Sequence, residues 1–208
     1  MNRNAKPFIS IVVWYFLLVY FNLIGLKLFN DSNYLYNIFT YISISACLIL
    51  INKINIKSEI KKFKENYKIF LKKGFFYWGI SFLLMLVSNY IITIKENLPL
   101  NELLIRENFN NNFIGLFALT VIFAPILEEV LFRYSFSKIK NKYIYIILSS
   151  VLFAFVHLSN MNEIIYLIPY GFLGMGFGLT YLKNQNIISS ILIHSFHNYF
   201  VILLLVIL

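Results

Sequence analysis

The feature that most constrains this chain is a succession of apolar stretches, each near the length needed to cross a bilayer as a helix and separated by polar breaks. Crossing ~30 Å of hydrocarbon takes about 20 apolar residues in helical form, because backbone N–H and C=O groups must pair internally where there is no water. The stretches 8–29, 34–51, 74–94, 113–136, 143–158, 164–182 and 187–208 approach or reach that length, the fifth being the shortest. The expected fold is all-α, a polytopic transmembrane helix bundle of about seven spans.

Composition supports the same reading. Only 13% of the 208 residues are charged and 60% are apolar, against roughly 25% charged in an average soluble domain. Too few polar residues remain to coat a water-facing exterior, so lipid is the outer solvent. Cys47 is the single cysteine, which excludes an intramolecular disulfide and a cysteine-based zinc cluster and leaves it a packing role. The first stretch follows Arg3 and Lys6 much as a signal peptide would, but it is long and lacks a small-residue cleavage site, so it is read as a retained span.

The polar breaks alternate in charge. Arg3 and Lys6 precede the first stretch, eight lysines from Lys53 to Lys73 follow the second, Lys138, Lys140 and Lys142 follow the fourth, and Lys183 follows the sixth. The other breaks hold Lys27, Lys95 and Arg106 among Asp31, Glu96, Glu102, Glu107 and Glu163. Since cytoplasmic loops are rich in Lys and Arg, a multi-pass cell-membrane protein with a cytoplasmic N-terminus is expected. In residues 52–73 the lysines interleave with Ile54, Ile56, Ile60, Phe63, Tyr67, Ile69, Phe70 and Leu71. An amphipathic helix lying on anionic headgroups has that pattern, and lipid rather than nucleic acid is its expected partner.

With no tandem repeat or glycine-serine linker, the chain reads as one membrane domain: 1–112 as N-terminal spans with the basic segment, and 113–208 as the chemical core. The fourth stretch, FIGLFALTVIFAPILEEVLFRYSF, buries Glu128, Glu129 and Arg133 in an apolar helix, where ionisable groups are costly unless paired or wetted. Glu129 and Arg133, four residues apart, share a helix face and can pair. Glu128 points about 100° away and has no partner in its own helix, which leaves it poised for proton transfer. Pro125 lacks an N–H and is expected to free a carbonyl near Val121 and to kink the span.

The three histidines of the chain follow: His157 in the fifth stretch, and His194 and His197 in the seventh, the latter in HSFHN with Asn198. His194 and Asn198 share a face; His197 either joins them or faces elsewhere. Histidines in spans often serve as interhelical hydrogen-bond glue, but two Glu, one Arg, three His and one Asn in the last part of the chain point to a wet polar site. Gly174 and Gly178 form a small-xxx-small step suited to close helix packing. By rise alone, Glu128 lies ~12 Å from the lysine-rich end of its span and His157 ~21 Å from that end of its own. Their meeting requires tilt, a later start to the fifth span, or a first turn at Tyr143 outside the buried part, the last being expected.

The strings EEVLFR (128–133), FAFVH (153–157) and HSFHN (194–198) match in order the EExxxR, FxxxH and HxxxN pattern. In this the chain resembles the CAAX-protease and bacteriocin-processing (Abi) family of intramembrane proteases. The resemblance implies an intramembrane endopeptidase acting on a membrane-associated peptide or protein, with Glu128 and His157 activating a water. It further implies that His194 and Asn198 stabilise the oxyanion and that Glu129 and Arg133 support the site as a pair. Zinc is an open alternative, because Glu128, His157 and His194 would form a His2Glu set with a position left for water. A bacteriocin-immunity or membrane-partner-binding role on the same fold, and a small transporter using buried charges as a relay, are the competing readings.

Overall fold

The computed structural model describes residues 6–28 and 34–207. Arg3, Phe29, Asp31 and Leu208, and the side chains of Lys6 and Lys27, lie outside the described residues. Eight helices are present among the described residues: α1 (Lys6–Leu28), α2 (Tyr34–Asn52), α3 (Ile56–Thr93), α4 (Leu100–Asn111), α5 (Phe113–Lys138), α6 (Lys142–Phe155), α7 (Leu167–Asn184) and α8 (Ile187–Ile207). By length and hydropathy α1, α2, α3, α5, α8 and the stretch Met161–Asn184 containing α7 can each cross a membrane. The chain is a polytopic helical bundle and a multi-pass membrane protein.

Asparagines set where several of these helices begin. The Asn55 side chain accepts from Ser58 N at 3.0 Å, Asn112 from Gly115 N at 2.9 Å, and Asn141 from Tyr143 N and Ile144 N at 2.9 and 3.2 Å. Asn186 accepts from Ser189 N at 2.9 Å. Each satisfies an N–H that the first turn of a helix otherwise leaves unpaired. Between α7 and α8 the chain reverses through Gln185, whose left-handed φ of 48° ends α7.

Helix α5 is central and touches α1, α2, α6, α7 and α8; α7 packs between α3 and α6. The glycine step works as expected: a Cβ on Gly174 would lie 3.1 Å from the Ser150 backbone of α6, and one on Gly178 3.3 Å from Ile146. Gly176, between them, faces α3, where a Cβ would approach Ser81 Cβ to 2.7 Å. The bundle is apolar outside and holds a buried polar cluster within its apolar core. Leu83, Val87 and Ile91 on α3 and Ile147 on α6 are exposed, while Ser149, Thr180, Ser189, Ser190, Glu129 and Arg133 are fully buried.

The structure departs from the sequence reading in three places. The basic segment is not set apart from the third apolar stretch: from Ile56 onward it forms the first half of the continuous 38-residue α3, with Phe63 and Leu71 turned inward and Phe70 buried. The fifth stretch yields only the 14-residue α6, ~21 Å long and short of a full crossing, followed by a turn and a 3₁₀ segment, Met161–Tyr166. Helix α4 has no counterpart among the apolar stretches, because its charged residues hide the apolar face of Leu100, Leu103 and Leu104.

Candidate active site

Glu129 sits at the centre of the buried polar cluster. Its Oε1 accepts a hydrogen bond from His194 Nδ1 at 2.9 Å, its Oε2 accepts one from Ser190 Oγ, and Arg133 Nε lies 3.4 Å from Oε2. Arg133 donates from Nη1 to Ser149 O at 3.1 Å, and its guanidinium lies over the Phe153 ring at 4.9 Å. Glu129 and Arg133 are fully buried, so the expected pair is formed. Ser190 carries no signal of its own in the sequence, although it lies four residues before His194 on the same α8 stripe.

The Arg133 contacts also fix the register of α5 against α6. They place Arg133 level with Ser149 and Phe153, so Glu128, five residues back, comes level with His157, four residues beyond Phe153 in the antiparallel helix. His157 itself lies in the turn after α6, and Tyr143, at the other end, is 69% exposed. This register removes the separation in depth that rise alone suggested.

Glu128 Oε2 is 3.8 Å from His157 Nε2 and 3.8 Å from His194 Nε2. This oxygen is buried with no hydrogen-bond partner. The two imidazoles are oriented by their other nitrogens. His157 Nδ1 is 2.7 Å from Phe153 O, and a carbonyl only accepts, so Nδ1 carries the proton. By the same reasoning His194 Nδ1 donates to the Glu129 carboxylate. In the neutral rings both Nε2 atoms are therefore acceptors facing Glu128. His157 is gripped between the Phe153 and Tyr170 rings, with centroids at 4.5 and 5.0 Å, and His194 is stacked on Phe177 at 4.2 Å.

A water about 2.8 Å from Oε2 and from each Nε2 fits these separations with an angle near 85°. Zinc bonds of ~2.05 Å would need about 136°, far from tetrahedral. The donor types suit zinc and the spacing does not; among the described residues no group of His, Cys, Asp or Glu is arranged to hold a metal ion. Water supplies two hydrogens to three acceptors, so a water-filled pocket is fully satisfied only when it holds one further proton.

Asn198 and His197 make contacts of their own. Asn198 Nδ2 donates to Thr120 O at 2.7 Å. That carbonyl is free because residues 118–123 are π-wound, with Ala124 N bonded to Leu119 O, so the donor missing at Pro125 is the one that would have reached Thr120 rather than Val121. The carbonyl expected near Val121 is thus Thr120's, and Asn198 caps it. His197 faces α3 and α7: its Nδ1 accepts from Trp78 Nε1 at 3.3 Å, and its ring meets Phe82 and Phe177 edge-on.

The family model described as type II CAAX prenyl endopeptidase Rce1-like matches residues 110–200, the segment that holds Glu128, Glu129, Arg133, His157, His194 and Asn198. UPF0177 protein YxdF of Lactococcus lactis subsp. lactis is 34% identical over 138 residues, covering 62% of this chain and 76% of that protein. The chain belongs to the CAAX-protease and bacteriocin-processing family. A Mycoplasma capricolum subsp. capricolum protein described as uncharacterized is 28% identical over 205 residues, covering 89% of this chain. The chain spans 61% of that relative's length. No solved structure matches it. Membership in this family places it among CAAX-type intramembrane protease relatives, while Trp78 and the basic half of α3 lie outside the matched segment.

Proposed function

We propose that this protein is an intramembrane endopeptidase that hydrolyses a peptide bond in a membrane-associated peptide or protein at the Glu128–His157–His194 pocket. One observation carries the reading: a buried carboxylate oxygen with no hydrogen-bond partner stands 3.8 Å from two imidazole nitrogens whose lone pairs face it. Structural glue is a poor description of that oxygen, since a buried acceptor left unpaired costs stability.

In the proposed cycle, Glu128 takes a proton from the water as it attacks the scissile carbonyl, and His157 Nε2 orients the water through its second hydrogen. The further proton resides on His194 Nε2, backed by the Glu129 carboxylate at Nδ1, and His194 donates to the oxyanion. Asn198 keeps one amide hydrogen on Thr120 O, and the family resemblance assigns the other to the same oxyanion. Collapse returns the Glu128 proton to the leaving amine. Glu129, Arg133 and Ser190 hold His194 in its donating orientation. No step is routed through zinc.

The lysine distribution supports a cytoplasmic N-terminus in the cell membrane. The test works whatever the substrate is: peptide termini in membranes of cells expressing wild type are compared with those from Glu128→Gln, His157→Ala and His194→Ala. New termini confined to wild type, and reproduced by purified protein in liposomes, are expected. Termini unchanged by all three substitutions would end the hydrolase reading and favour a binding or immunity role.

A further inference from the structure

The first half of α3 divides into two opposite faces. At 100° per residue, Lys57, Lys61, Lys64, Lys68 and Lys72 fall within an arc of about 80°, and Glu59 lies about 180° from its centre. All five lysines are exposed. Ile60 and Tyr67 border the arc on one side, and Glu65 and then Ile69 on the other, each exposed as well.

The Glu59 face is docked. Glu59 Oε2 accepts from Ile187 N at 2.9 Å and from Asn186 Nδ2 at 3.0 Å, and Asn186 Nδ2 also reaches Glu59 O at 2.9 Å. Beside it, Lys62 Nζ donates to Gln185 O at 2.6 Å and Asn184 Nδ2 to Phe70 O at 3.0 Å. These bonds fix both the rotation and the depth of this half of α3. Its Glu59 side caps the first N–H of α8, a 21-residue apolar helix whose ~31 Å length matches the hydrocarbon thickness. The first residue of α8 therefore marks one membrane face, and the lysine arc is held at that face, pointing away from the bundle.

We propose that this arc is a docking surface for anionic phospholipid headgroups. Five cations in one exposed stripe, bordered by apolar and aromatic side chains, complement a layer of phosphates above acyl chains. Within the stripe, Lys61 meets Glu65 only at 4.0 Å, so its charge remains largely uncompensated. The surface lies outside the family-matched segment, and its test is independent of proteolysis.

The full-length protein is purified in zwitterionic detergent, and its thermal midpoint is followed as phosphatidylglycerol or phosphatidylcholine is added to the micelles. Phosphatidylglycerol is expected to raise the midpoint by about 3 °C more than phosphatidylcholine. The gain is expected to shrink at high salt and to vanish in the quadruple variant K57E/K61E/K64E/K68E, whose altered positions are all exposed. A control variant with Lys138, Lys140 and Lys142 reversed is expected to keep most of it. Equal responses to the two lipids, or a full response in the quadruple variant, would overturn the proposal. The same gain from a soluble acidic peptide at matched charge would overturn it in favour of a protein partner.

Discussion

Two neighbouring carboxylates, one residue apart on α5, lie in opposite circumstances. At the inner wall Glu129 has no exposure, and both of its oxygens are occupied, by His194 and by Ser190 with Arg133. At the mouth Glu128 is 18% exposed, and its Oε2 faces two imidazoles without a hydrogen bond. The difference teaches how the proposed site can combine a rigid pair with a poised group. Glu129 is neutralised by Arg133 and takes no part in the proposed proton transfer, while Glu128, the proposed base, is left short of partners.

Breaking the mouth should abolish chemistry and spare the fold. Glu128→Gln keeps the shape of the side chain and removes the base, so turnover in liposomes is expected to fall by roughly 10²–10⁴-fold, with the thermal midpoint unchanged or raised. A midpoint that collapses along with activity would make Glu128 structural and erase the contrast.

Breaking the inner wall should cost the fold as well as the chemistry. Arg133→Ala leaves Glu129 charged and without its cation, at an expected cost of about 3–5 kcal/mol in stability, read from unfolding in detergent. The double variant Glu129→Gln/Arg133→Met is expected to recover most of that stability without recovering activity, because His194 then lacks its carboxylate.

Ser190→Ala removes one donor to the same carboxylate and is expected to cost about 1.5–3 kcal/mol of stability, the usual range for bonds to charged groups. Smaller still is the effect of the ring that grips His157. Tyr170→Leu is expected to lower turnover several-fold while Tyr170→Phe stays near wild type, since the ring rather than the hydroxyl makes the contact. Last, chelator treatment and metal analysis are expected to show turnover that survives without bound zinc, because 3.8 Å separations suit a hydrogen-bonded water. Stoichiometric zinc whose removal stops turnover would require the mouth to contract and would redraw Glu128 as a ligand.

Much of the site was legible because polar residues in apolar spans are conspicuous. Glu128, Glu129, Arg133, His157 and His194 were all visible against their surroundings, and the four-residue spacing of Glu129 and Arg133 predicted their pair. Less was legible where ordinary residues do the work. Ser190 and Tyr170 occur in spans for many reasons, and nothing local marks the ones that touch a carboxylate or an imidazole. Glu59 stands among lysines, and nothing local marks it as the cap of a distant helix.

The sequence by itself determined the lipid-facing helical architecture and the identity of the ionisable groups, because both follow from the cost of leaving a polar group in hydrocarbon. Only the tertiary structure decided which nitrogen of His157 and of His194 faces Glu128, that His197 turns to Trp78, that Asn198 caps Thr120, and that the basic segment and the third apolar stretch form one helix. Each of these depends on a partner from another helix or on a local change of helical winding, and a repeat of 3.6 residues along one chain carries information about neither.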